Sequence, residues 1–277
     1  MFRNLSHTFD FISINLFGTL FIQFNKLIKF INMKNLNVMF NRIVLGFAFI
    51  SLTVVSACAN TLITGNHQVT KQNRAVSSFD EIEVTGGFEI VLTQSDKESL
   101  NIEADNNLLE LIETKVNNNV LYISTKNDVE INHYKKMTIN LSVKSLRKMR
   151  VSGAIDLSTT NQLKTDLLKI NISGAANINV DIATKILDVD VSGAGNINFQ
   201  GQSTDVRMDL SGAGKVSSLK LVADNFIIDV SGVGAAKVYA KEKLNVNISG
   251  IGSVSYAGNP KKIVSDISPL GILNAID

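Results

Sequence analysis

The chain has 277 residues, 45% of them apolar and 6% aromatic, with a formal charge of +2 and one cysteine. It is long enough to bury a sizeable core. A single cysteine excludes an intramolecular disulfide, and the absence of a basic patch argues against nucleic acid as a partner.

These averages conceal two unlike parts. Ten of the 14 Phe precede residue 58, together with five basic residues and one acidic residue, Asp10. Residues 1–32 are rich in Phe, Asn and Ile, without a pattern, and they precede a complete export signal. Met33 is therefore the expected start, the alternative being a longer basic region removed with the signal. Lys34 and Arg42 lead into a 13-residue apolar run, Ile43 to Val55, and then Val55-Ser56-Ala57-Cys58. A short basic region, such a run and small residues at a cleavage point make a secretory signal. The run is too short to span a bilayer comfortably, which takes about 20 apolar residues.

Val-Ser-Ala-Cys resembles a bacterial lipobox. The resemblance implies cleavage before Cys58 and acylation of its thiol, so that residues 1–57 are leader and the mature chain is held to the membrane by N-terminal lipid. The plainer alternative is a buried cysteine in an apolar segment. Ala59 and Asn60 follow where Asp would retain an enteric lipoprotein in the inner membrane, so the expected location is the outer membrane, facing the periplasm or the surface. Without the leader, 22 basic residues stand against 24 acidic ones, a net charge near −2. Residues 58–78 are polar and aperiodic, and read as a tether.

Residues 79–148 alternate irregularly. Ile82 and Val84 precede Thr85-Gly-Gly, and Phe88, Ile90 and Leu92 follow it, as in a divergent copy of the repeats downstream. Asp105 is an N-cap candidate for one short helix over Asn106 to Glu113, and Asn117-Asn-Asn119 is a turn before a strand at Val120 to Ser124.

From residue 149 a phrase recurs: Val151-Ser-Gly-Ala, Ile172-Ser-Gly-Ala, Val191-Ser-Gly-Ala-Gly, Leu210-Ser-Gly-Ala-Gly, Val230-Ser-Gly-Val-Gly and Ile248-Ser-Gly-Ile-Gly. The serines, at 152, 173, 192, 211, 231 and 249, are 21, 19, 19, 20 and 18 residues apart. A worn copy, Ile267-Ser-Pro-Leu-Gly, suits a cap. Residues one and three before each serine are apolar and the one between is polar; alternation resumes at Leu157, Ile178, Ile197, Val216 and Val254. Two short strands therefore flank a corner. The corner glycines Gly153, Gly174, Gly193, Gly212, Gly232 and Gly250 are expected to supply positive φ, and the alanines to take little room where the chain bends inward. A period near 20 residues without helical spacing means an all-β parallel solenoid, stacked coils burying what no single coil can. Residues 79–277 are expected to share one core, with no Pro- or Ser-rich linker to divide them.

Phe79-Asp-Glu-Ile-Glu-Val-Thr-Gly-Gly-Phe, the Leu100-to-Val120 segment and the repeats closing on Tyr256-Ala-Gly-Asn-Pro260 resemble the head GIN domain family. This family of Bacteroidetes lipoproteins carries an auto-transporter adhesin label. The resemblance covers about residues 79–277. It implies a right-handed β-helix-like fold, export as a lipoprotein and no established activity.

Chemistry is sparse. Asp190, Asp209 and Asp229 should lie on consecutive rungs, where like charges must be solvated, countered or bridged by a cation. A solvated face with Lys169 and Arg207 as counter-ions is preferred to a cation ladder. Serines that recur with the repeat, with no histidine beside them in sequence, are corner residues, not nucleophiles. Two distant histidines, His67 and His133, make no metal site. Eight aromatics remain after the leader, half of them at apparent core positions, so a sugar platform is not legible. No cofactor is implied. The expected function is binding, adhesion or structure in the envelope, with an envelope protein or a glycan as partner; the alternative is a polysaccharide lyase or hydrolase on a β-helix.

Overall fold

The apolar columns of the repeats form the inner wall of a β-solenoid. The structure, a computed structural model, describes residues 61–276 with the exception of Asp128. The leader and Cys58 lie outside the described residues. Residues Ala59–Asp277 form a compact unit of their own. Among the described residues no helix is long and apolar enough to cross a membrane.

The N-terminal strands are β1 (Thr61–Thr64), β2 (Val69–Arg74), β3 (Glu81–Thr85), β4 (Gly87–Gln94) and β5 (Ser99–Asp105). A 3₁₀ helix, Asn106–Leu111, leads to β6 (Ile112–Asn117), β7 (Val120–Thr125), β8 (Val129–Asn132) and β9 (Met137–Val143). β3 and β4 form a rung, stacked in parallel on β7 and β9. Antiparallel neighbours close this end of the stack: β6 against β7, β5 against β9 and β2 against β5.

Two expectations are corrected here. The tether carries two strands: β2 pairs with β5 from Val69↔Asp105 to Arg74↔Leu100, and β1 pairs with β8. β2 buries neither face, so its hold comes from backbone pairing rather than from an apolar pattern a reader could see. The Arg74 guanidinium adds to it, donating to Ile112 O at 2.6 Å and Leu109 O at 2.7 Å; burial lowers its pKa. Second, the helix is one 3₁₀ segment and Asp105 does not cap it. Its fully buried carboxylate instead accepts the backbone N–H of His67 at 2.9 Å and of Lys135 at 3.2 Å, tying two loops together.

The repeats supply β10 (Lys148–Val151), β11 (Ala154–Thr159), β12 (Leu163–Ile172), β13 (Ala175–Val191), β14 (Ala194–Leu210) and β15 (Ala213–Val230). They end in β16 (Val233–Ile248), β17 (Ile251–Ala257), β18 (Lys262–Ile267) and β19 (Ile272–Ala275). All pair in parallel, in about seven turns of roughly 19 residues. The serine alignment is the observed register: Asn177 pairs with Asn196, and Asp190 with Asp209. Thr85-Gly-Gly is indeed a copy of the corner, since Val84 pairs with Val151 and Gly87 with Ala154. One apolar cluster runs from Phe79 to Val254, so the divergent part and the repeats share a core. Met149, Val189, Met208, Ile228 and Val246 form one fully buried column of it, each such side chain worth about 1.5–3 kcal/mol.

Pairing between coils breaks at the Ser-Gly corner, and again at a second corner, Asp166, Lys185, Thr204 and Asp224. Inside this second corner Thr184 Oγ1 donates to Ile186 O at 3.0 Å, and Ser203 Oγ to Asp205 O at 3.0 Å. Between the two corners lies a third, irregular one. The register slips there between Asn198 and Gln200 and again between Ser218 and Ala223. Coils of 18 to 21 residues absorb most of their differences there, with one further slip at the second corner between Ala223 and Asn225.

Candidate functional site

The six corner glycines do not have positive φ; among the described residues the glycines that do are Gly86, Gly201 and Gly258. The corner is glycine for a different reason. A Cβ on Gly193 would lie 1.8 Å from Gly174 O, one on Gly212 1.8 Å from Gly193 O, and one on Gly153 1.8 Å from Gly86 O. Gly174, Gly232 and Gly250 are filled in the same way, at 2.0, 2.0 and 2.3 Å. The carbonyl of the coil below occupies the place of a side chain while accepting an amide from the coil above, as Gly174 O accepts Ala194 N–H at 3.0 Å. The serine hydroxyls also reach down a rung, Ser173 to Val151 O and Ser192 to Ile172 O, both at 3.2 Å. They are structural, as their recurrence suggests.

The alanines after these glycines point outward, contrary to expectation. Ala154, Ala175, Ala194 and Ala213 are exposed, and Val233 and Ile251 continue the column. Beside them runs a polar ladder in which Asn177 donates to Asp156 at 2.7 Å and Asn196 to Asn177 at 3.3 Å. In the next column Asn198 donates to Asn179 at 2.9 Å. Small side chains and stacked amides thus make the floor of an open groove of about 1070 Å³. Glu89 and the segment Tyr134–Met137 form one end of it, Lys215 and Ser217 the other. Tyr134 is 41% exposed. The floor recurs with the coil; the end wall comes from the segment joining β8 to β9, which carries no repeat signal.

The Asp column lies on another face. Lys169 Nζ contacts Asp188 at 2.7 Å and Asp190 at 3.6 Å, and Asn171 donates to Asp190 at 2.6 Å. Arg207 spans Asp209 at 3.1 Å and Asp229 at 3.2 Å. These are the counter-ions expected from sequence, and the carboxylates raise the pKa of both cations. Burial, and then Asp229 beside it, raise the Asp209 carboxyl above the ordinary range against the pull of Arg207. Among the described residues no three His, Cys, Asp or Glu side chains gather as a metal would require. Of the eight aromatics, Phe79, Phe88, Phe199 and Phe226 are core, and Tyr122 and Tyr134 are exposed.

Against known proteins, the family model described as "Putative auto-transporter adhesin, head GIN domain" matches residues 78–260. The chain belongs to the head GIN domain family. Solved structures share the head GIN fold. A "putative adhesin" from Bacteroides fragilis aligns with a TM-score of 0.71 at 24% identity, over 77% of this chain and all of its own. A "putative adhesin" from Parabacteroides distasonis gives 0.63 at 21% identity, over 78% of this chain and 100% of that one. A "putative lipid binding protein" from the same species gives 0.61 at 23%, with the same coverage. No curated protein matches the head GIN chain.

Proposed function

We propose that this head GIN protein is a lipid-anchored binding or adhesion protein of the cell envelope, held at the outer membrane through Cys58 and engaging an envelope protein or a glycan along the groove. The observation that carries the reading is the groove itself: an even, repeat-built floor of small side chains and amides, open at the surface. Such a surface suits extended contact rather than bond breaking. The adhesin label of the family agrees with it. The Val55-Ser-Ala-Cys58 sequence supports the anchor.

Two measurements test the two halves. Mass spectrometry of protein extracted from membranes should find acylated Cys58 and no peptide from before it; an intact peptide spanning Ala57-Cys58 as the main species refutes the anchor. The Ala59–Asp277 unit, applied to envelope extracts and a glycan array, should retain a partner. Ala175→Tyr with Ala194→Tyr, which blocks the floor at exposed positions, should lose it. Retention unaffected by that block removes the groove from the function.

A further inference from the structure

Among the described residues nothing pairs with the outer edge of the last rung. β18 pairs with β16 and β19 with β17, each along one edge among the described residues. Leu244 is fully buried, whereas its register partner Ile263 is 42% exposed. Val264, Leu270 and Ile272 are exposed on the same rung. The opposite end of the stack is closed by antiparallel strands. Free edges are normally guarded by edge charges, a bulge, an internal Pro or an inward-pointing charge. Of these β18, Lys262-Ile-Val-Ser-Asp-Ile267, has only the outward charges Lys262 and Asp266.

The phase of this strand is fixed by Ser268, whose N–H donates to Ile248 O at 2.8 Å. Lys262, Val264 and Asp266 therefore turn their amides toward β16. Ile263, Ser265 and Ile267 present theirs to the free edge. We propose that this edge takes a second copy of the chain, β18 antiparallel to β18, about a two-fold axis through Val264.

In that register Val264 meets its own counterpart, Lys262 faces the partner's Asp266, and Asp266 faces the partner's Lys262. Ile263 and Ser265 exchange backbone hydrogen bonds with the partner's Ser265 and Ile263. The charge pairs fall at non-hydrogen-bonded positions, where side chains approach most closely, and opposite charges there are favourable. Moving the axis one residue, to Ser265, sets Val264 against Asp266 and loses both pairs. On the inner face the exposed Ile263 of each copy is covered, so two cores become continuous. The contact is isologous, so it closes as a dimer and does not propagate into a filament.

The test is sedimentation velocity on the Ala59–Asp277 unit, which contains the apolar cluster from Phe79 to Val254. The parent should dimerise at micromolar concentration. Lys262→Glu or Asp266→Lys, each placing like charges opposite one another twice, should weaken the dimer by on the order of tenfold. The double variant Lys262→Glu/Asp266→Lys should restore it. Ser265→Pro removes an N–H from the free edge alone and should give a monomer that melts like the parent. A monomeric parent, single variants that dimerise as well as the parent, or a double variant that stays weak would each overturn the proposal.

Discussion

Replacing Gly193 by Val tests the glycine column. The new Cβ would lie 1.8 Å from Gly174 O, against a floor of about 3.0 Å for real Cβ contacts, so the two coils must part by more than an ångström. The same carbonyl accepts Ala194 N–H, so parting them strains a rung bond. Overpacking of this kind costs about 1–3 kcal/mol, and an unmade buried backbone bond roughly 1–3 kcal/mol more. The expected loss is about 2–6 kcal/mol, read from urea unfolding of the Ala59–Asp277 unit as a fall in midpoint. Gly212→Val should behave alike. Two controls set the scale. Asn196→Val alters an exposed groove residue, and Ala194→Val puts at one rung what Val233 already is at another. Both should stay within about 0.5 kcal/mol of the parent. If Gly193→Val fell within that band, the glycines would not be there for close approach.

Asp209→Asn should stabilise slightly at neutral pH. The folded carboxyl titrates above its ordinary value because of burial and Asp229, so the stability it contributes is fully present below the unfolded pKa and lost as pH rises through the folded one. The gain, measured by urea unfolding, should be under about 1 kcal/mol for so exposed a site and should vanish in acid; a gain that grows in acid reverses the reasoning. Asn at Asp190, Asp209 and Asp229 together should leave the melting temperature near that of the parent, and calcium should not raise the parent's. A calcium-dependent rise abolished in the triple variant would make the column a cation site. Ser218 is fully buried with its hydroxyl unpartnered, so Ser218→Ala should stabilise by about 1 kcal/mol; a loss of that size would mean that the hydroxyl is bonded.

The sequence made the register legible because two periods reinforce each other. Alternation chose the inward residues, and the serine spacing placed Asn177 on Asn196 and Asp209 on Asp229. It could not say why the corner is glycine, since positive φ and close approach select the same residue. Nor could it show the fold taking in Val69–Arg74, whose polar strand is held by backbone and by Arg74. Thr165 joins Thr184 and Ser203 in one column only once the register slip between Ser158 and Leu163 is known, which kept that corner out of sight. The groove's amide columns recur with the coil, but its alanines read as inward, and Tyr134–Met137 closes it from a segment with no repeat.

The irregular corner has a consequence for how such a chain can change. Coils that differ in length gain or lose residues chiefly there, as between Asn198 and Gln200 and between Ser218 and Ala223, while the Ser-Gly corner and the strands around it keep step. Length is thus uncoupled from alignment. A loop, a tag or a whole inserted module entering near Thr160 or Gly201 would project from one side of the stack and leave the amide floor as it is. New surface can be added to this protein at that margin without rewriting the coil that carries it.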